Sequence, residues 1–272
     1  MTFARQGQVA LCADLPLDMF PAGFVPNLQF GQSLMELGAP TGHWRVPGYN
    51  GLAYAFESFI DELAVAAGRD PIEMRLELYG PARVLPAPPT DGPIHIPPFD
   101  TGRVRGVLQR VAEQSGWSKR HTLPAGTGMG VAFCYSHFGY VAEVIKASVD
   151  ERGVPRIHKV WAAVDVGRQI INQAGAYNQA QGAVLDGLGS ALYQAITIEN
   201  GAVVNSNYNS FGLLRMQAAP PVEVHFLISD NAPTGLGEPT LAPAMPALNN
   251  ALFAATGRRL RSLPIMPQLR VD

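Results

Sequence analysis

The chain has 272 residues, 47% of them apolar and 15% charged, with a formal net charge of -2. So apolar a composition excludes a disordered chain, the charge balance excludes a nucleic-acid footprint, and the sparse charge points to surface buried against a partner. The two cysteines, Cys12 and Cys134, form no CxxC pair, the six histidines lack metal-ligand spacing, and no apolar run approaches the ~18 residues of a membrane helix.

Residues 1–40 are rich in Pro, Gly, Phe and Leu with little periodicity. They read as an irregular leading segment that packs on a partner chain, with a strand expected over Gln8 to Cys12, more like the middle of a larger fold than a clean start. Residues 41–116 form a helical segment. It opens on a loop dense in Gly and Pro, Gly42 to Gly51, that holds Trp44 and Arg45. A helix follows from Ala53 to Ala67 with Phe56, Ile60, Leu63, Ala64 and Ala67 on its apolar face and Gly68 as its stop. Asp61 and Glu62 diverge by about 100° on that helix, so they read as a solvated face rather than an acid–base pair. Asp70-Pro71 restarts a short helix with an N-cap and a proline at its first position. Gly80 to Pro98 is a proline-dense linker or surface excursion, and Val104, Val107, Leu108 and Val111 mark another helix closed by Gly116.

Residues 117–272 form an α+β segment. Val131 to Tyr135 and Tyr140 to Val149 read as strands, Asp150 to Gly153 as a hairpin turn, and Arg156 to Val166 as the return strand. A helix over Gln173 to Gln194 carries glycines at 175, 182 and 189, each costing about 1 kcal/mol of helix propensity, so another backbone or a ligand is expected to come close there. Gln179 shares that small-residue face; it either packs on a strand or offers a cofactor a donor and an acceptor together. Asn200-Gly201 turns a hairpin, and an apolar strand from Val222 to Ile228 leads to Gly235-Leu236-Gly237-Glu238-Pro239 and a helix over Ala242 to Thr256. Gly235 and Gly237 let the backbone turn closely around a site. Glu238 between Gly237 and Pro239 can serve as a first-turn helix charge, a metal ligand or a general base, and the local pattern favours the first. Dinucleotide, P-loop and nucleophile-elbow motifs are missing, and Ser190 lies mid-helix. The residues alone therefore give a mixed α/β (α+β) fold with one candidate base and no self-contained cofactor site.

The order of these motifs resembles one family. It runs through Trp44-Arg45, the Phe56 to Ala64 helix with Asp70-Pro71, Val164-Asp165-Val166-Gly167-Arg168 with Ile171-Asn172, and Gln179-Ala180-Gln181-Gly182. It continues with Gly235 to Pro239 and Asn250 to Gly257, then Leu263-Pro264. Over roughly residues 30–265 this is similar to the C-terminal part of the molybdenum subunit of the xanthine oxidase family. The branch it resembles is the isoquinoline 1-oxidoreductase β-subunit type, which includes bacterial aldehyde dehydrogenases.

The resemblance implies a C-terminal portion of the molybdopterin-binding domains, in an enzyme that oxidises aldehydes to carboxylic acids or hydroxylates N-heterocycles with oxygen from water. Glu238 matches the family's base, Gln179 its pterin-contacting glutamine, and Trp44 and Arg45 the aromatic–arginine pair of the loop beside the molybdenum centre, with Gly235 and Gly237 forming the loop around the acid. In the best-known relatives a glycine follows that pair; here Val46-Pro47 follows, which bears on substrate contact by Arg45. The implied cofactor is molybdenum–molybdopterin in its cytosine dinucleotide form, with no metal ligand from this chain. The family's other glycine-rich cofactor loops and the cysteines of its [2Fe–2S] clusters do not occur in this sequence. The resemblance thus implies a partner chain with the rest of the molybdenum subunit and an iron–sulfur subunit that takes the electrons, and it allows a cytochrome c subunit. A scaffold of the same fold that binds no metal is the rival reading, and an acid kept between Gly237 and Pro239 speaks against it. The sequence assigns no compartment.

Overall fold

The computed structural model describes residues 22–29, 31, 33, 42–87 and 96–269. The strand expected over Gln8 to Cys12 lies outside the described residues. In chain order the elements are α1 (Tyr49–Ala66), α2 (Pro71–Tyr79), β1 (Val84–Leu85), β2 (Phe99–Asp100) and α3 (Thr101–Ser115). Then come β3 (Thr127–Ser136), β4 (Gly139–Val149), β5 (Pro155–Asp165) and α4 (Gln173–Leu192). The short hairpin β6 (Ile198–Glu199) and β7 (Ala202–Val203), β8 (Val222–Leu227), α5 (Ala244–Thr256) and α6 (Met266–Leu269) complete the order.

The central sheet runs β3-β4-β5-β8, its first three strands antiparallel and β8 parallel to β5. That one parallel pairing needs a crossover, and α4 lies within it. Helices cover both faces, so β4 is buried at successive positions rather than alternately. On one face α3 lays Val104, Val107, Leu108 and Val111 against Val131, Phe133, Tyr140 and Val144. On the other, α4 and α5 close over Ala132, Cys134, Ile145 and Ala147. The fit of α5 on β3 is set by glycine: an added Cβ would stand 2.4 Å from the Ala251 carbonyl at Gly128 and 2.2 Å from the Ala251 nitrogen at Gly130.

The caps behave as local chemistry dictates. Asp70 accepts from the Ile72 and Glu73 amides at the start of α2, and Gly116 and Gly257 end α3 and α5 in left-handed conformations.

The inner face of α1 differs from expectation. Leu63 and Ala67 are exposed, while Glu57, Ser58 and Asp61 are buried beside Ala53, Tyr54, Ile60 and Ala64. Glu57 takes the Arg75 guanidinium at 2.8 Å and the Phe133 amide at 2.9 Å. Asp61 is therefore not on a solvated face: it is 4% exposed and pairs with Arg259 at 2.7 Å, while Glu62 reaches Arg261 at 2.5 Å. The cause is tertiary, since these cations sit far away in sequence. A third buried pair, Arg103 with Asp165 at 2.6 Å, ties α3 to the end of β5, where Asp165 also holds the Gly167 amide and the Ser229 hydroxyl.

The glycines of α4 are a second departure. Gly182 has open space around it and Gly175 meets only its own N-cap, Asn172; Gly189 alone of the three meets another segment, its added Cβ standing 3.4 Å from the Leu214 Cβ. The close approach falls on Gly187, where a Cβ would stand 2.7 Å from the Leu241 carbonyl.

Glu143 on β4 is fully buried, and neither carboxylate oxygen has a hydrogen-bond partner among the described residues. Burial pushes its pKa well above the ordinary carboxylate range. The native state thus keeps a proton that the unfolded chain releases. The resulting stability is fully present below the unfolded pKa and is lost as pH rises through the folded one. Glu143→Met, which keeps the volume and removes the acid, is expected to stabilise the protein by about 1–3 kcal/mol at pH 8. The gain should shrink towards pH 5, as read by thermal unfolding across that range.

Candidate functional site

Four separate segments converge on the connection between β8 and α5. The loop before α1 brings Arg45 and Val46, and the turn between β3 and β4 brings His137 and Phe138. The helix α4 brings Gln179 and Asp186, and the connection itself carries Gly235 to Pro239. Arg45 donates from Nε to the Gly237 carbonyl at 2.7 Å and again from Nη2. The same Nη2 is 3.4 Å from the Gln179 side-chain oxygen, and Nη1 is 3.5 Å from Asp186. Arg45 is thus chiefly a clamp on a backbone carbonyl. An added Cβ on Gly237 would come within 3.2 Å of the Gln179 side-chain oxygen, so the glycine makes room for that amide. Gly235 is less constrained, its added Cβ standing 3.9 Å from the His137 Cβ.

Glu238 is not a first-turn helix charge. The helix α5 begins only at Ala244, and the carboxylate is held elsewhere: Oε1 accepts from the Val46 amide at 3.3 Å, and Oε2 lies 2.5 Å from His137 Nε2. The side chain remains 36% exposed, so it is gripped on two sides and open on a third.

Among the described residues four non-glycines have positive φ, and two of them hold this acid, Val46 at 55° and His137 at 51°, with Phe138 at 63° completing the His137 turn. The fourth, Asn200, sits with Gly201 in the β6–β7 turn, where such a conformation is ordinary. A β-branched residue there is an outlier, and each such position costs on the order of 1–3 kcal/mol. Ser136 pairs with Gly139, so His137 and Phe138 are the whole loop of a two-residue hairpin, a place that favours Asn-Gly. Strain of this kind persists where the surrounding structure over-determines it, which is characteristic of functional sites. His137 Nδ1 is buried without a partner among the described residues, and a proton there would add a desolvation cost of about 1–3 kcal/mol. The imidazole therefore carries its proton on Nε2, facing Glu238.

Of the residues singled out from sequence, Arg45, Gln179, Gly235, Gly237 and Glu238 come together. Trp44 does not join them: it is 53% exposed and lines an apolar groove with Ile196, Phe211, Met245 and Leu263. His137 was missed. Its signal was the short Ser136-His137-Phe138-Gly139 gap between the two strand patterns, with His-Phe at the tip where Gly or Asn would be ordinary.

Next to Gln179 lies an open hollow of about 380 Å³ bounded by Val166, Gln169 to Asn172, Gly175, Thr234 and Leu236. The N-terminus of α4 opens onto it, capped by Asn172 on the Gly175 amide at 2.9 Å. Neutral amides beside helix N–H groups suit a polar heterocycle carrying phosphate. Among the described residues no three His, Cys, Asp or Glu side chains converge in a way that could hold a metal ion directly.

Comparison with known proteins gives a match to the molybdopterin cofactor-binding domain over residues 105–220. The β subunit of isoquinoline 1-oxidoreductase from Brevundimonas diminuta is 32% identical over 222 residues, 79% of this chain and 25% of that protein. The membrane-bound aldehyde dehydrogenase (pyrroloquinoline-quinone) of Gluconacetobacter polyoxogenes is 34% identical over 228 residues, 81% of this chain and 28% of that protein. The chain thus spans about a quarter of the length of these curated relatives. Among solved structures, quinoline 2-oxidoreductase from Pseudomonas putida 86 shares the fold with a TM-score of 0.69 at 11% identity, over 84% of this chain and 52% of that one.

Removing the Arg45 clamp should loosen the turn it holds. Arg45→Met is expected to cost about 1–2 kcal/mol, from charge-assisted hydrogen bonds on a partly exposed group, and to speed hydrogen exchange across 235–239. Arg45→Lys should recover only part of that protection, because an ammonium cannot reproduce the fork.

Proposed function

Because the chain belongs to the molybdopterin cofactor-binding family of the xanthine oxidase type, we propose that it forms one wall of a molybdenum-dependent oxidoreductase site in which Glu238 is the general base. The observation that carries this reading is the grip on Glu238: two donors on its two oxygens, supplied by two residues, Val46 and His137, held in costly backbone conformations.

A molybdenum–pterin group, when bound, supplies the two-electron oxidising centre. Gln179, at the rim of the hollow, would hold its pterin by amide hydrogen bonds, with the N-terminal end of α4 beside it. Gly235 and Gly237 keep the turn free of side chains next to His137 and Gln179. Arg45 acts through the Gly237 carbonyl rather than on substrate, and Trp44, its neighbour in the loop before α1, faces the groove with Met245 and Leu263. Oε1 of Glu238, whose contact with the Val46 amide is the longer one, is the oxygen that takes a proton from a water-derived oxygen at the site. Such a general-base step contributes about 10²–10⁴ in rate.

The substrates under this reading are aldehydes, oxidised to carboxylic acids, or electron-poor N-heterocycles, hydroxylated with oxygen from water. The cofactor is the cytosine dinucleotide form. Electrons leave to [2Fe–2S] clusters on a partner subunit, with a cytochrome c subunit as a further acceptor. Since the chain spans a quarter of its relatives' length, the remaining cofactor contacts and the substrate pocket come from residues beyond this sequence.

Glu238→Gln should leave molybdenum content and assembly intact while lowering kcat by about 10²–10⁴-fold. Unchanged turnover would overturn the assignment of the base. The purified assembly should contain molybdenum and pterin by elemental analysis and mass spectrometry; an assembly devoid of both would sink the enzyme reading.

A further inference from the structure

Glu238 is held by two donors of unequal strength. The Val46 amide is 3.3 Å from Oε1, whereas His137 Nε2 is 2.5 Å from Oε2. The imidazole gets there by an unusual route. The strands β3 and β4 are joined only by His137 and Phe138, both left-handed, in a turn that Asn-Gly would make without strain. Because β4 is an inner strand paired on both sides, the hairpin cannot slip, and the height of the imidazole above the sheet is fixed. Around the pair, the Tyr49 ring lies 6.4 Å from the imidazole, and the charged neighbours are Arg45, committed to the Gly237 carbonyl, and Asp186 beyond it. His137 is thus the donor that sets the rotation of the carboxylate.

We propose that His137 is a positioning residue for Glu238: the strained hairpin presents its Nε2–H to Oε2, and so turns Oε1 to the open side of the turn. A hydrogen bond confined to Oε2 leaves the lone pairs of Oε1 able to accept a proton. The inference rests on the reading of Glu238 as the base.

The test uses the assembled enzyme with isoquinoline and benzaldehyde as probe substrates and a soluble dye as electron acceptor. His137→Asn is the informative variant. Asn suits the left-handed turn better than His, but its shorter side chain stops about 1 Å short of the carboxylate. The variant should be at least as heat-stable as the unaltered protein and hold the same molybdenum, yet lose about 10–100-fold in kcat with KM changed less than about twofold. His137→Gln, whose amide N–H can reach Oε2, should recover about tenfold or more of the loss.

A purely structural histidine predicts the reverse order, with Asn as good as His. His137→Asn with kcat within about twofold of the unaltered enzyme overturns the proposal, as does His137→Gln no faster than His137→Asn. Glu238→Gln in the same series separates the two readings. If it turns over normally, the base assignment falls and this inference with it. If it is slow while His137→Asn is not, only the positioning role falls.

Discussion

The helix α5 rests on β3 at the distance of two backbones, because Gly128 and Gly130 present no side chain to it. Both halves of the site are measured from that contact. The helix fixes the end of the β8–α5 connection, and the strand runs directly into the His137-Phe138 turn. Asn250 reinforces it from inside, donating to the Val131 carbonyl at 3.0 Å, and Asn249 reaches the Ser58 hydroxyl of α1 at 3.0 Å. Any side chain at Gly130 would drive α5 off the sheet, since an interior packed to crystalline density has nowhere to put it. Glu238 and His137 would then no longer share a frame.

Around that contact the interior is unusually ionic. Glu57–Arg75, Arg103–Asp165 and Asp61–Arg259 are all buried pairs. Such pairs contribute little net stability, because desolvation offsets most of the attraction, but leaving one partner alone costs several kcal/mol. Their effect is one of register. An apolar face tolerates sliding, whereas a guanidinium fork that must meet a carboxylate does not. Arg103 locks α3 to the end of β5, just where the chain enters the 166–172 loop beside the hollow next to Gln179.

Much of this was legible from local chemistry. Asp70-Pro71, Gly116, Gly257 and the Asn200-Gly201 turn declare themselves by backbone preference, and α3 by the spacing of its three valines and one leucine. The inner face of α1 was not legible. Periodicity detects apolar burial, and this face is buried through Glu57 and Asp61, whose cations lie 18 and 198 positions away. Glycine spacing in α4 misled for a related reason. It shows where a helix is narrow, not which turn meets a neighbour: the tightest contact fell on Gly187, with only Gly189 of the three close to another segment. For Glu238 the local pattern favoured a helix-end acid; what the structure adds is a donor from another hairpin, which no window of sequence around residue 238 contains. The order of motifs carried the family likeness because order survives where spacing says little.

Arg45 and Gly237 are separated by 192 positions, as are Val46 and Glu238, and His137 stands between them in the chain. Contacts of such span form late, after the local hairpins of the sheet, because loop closure must precede any return from them. Until then Glu238 is an ordinary solvated carboxylate on a glycine-rich turn. The two donors on Glu238 therefore reach it only with the completion of the fold, a consequence of the chain length that separates them from the acid.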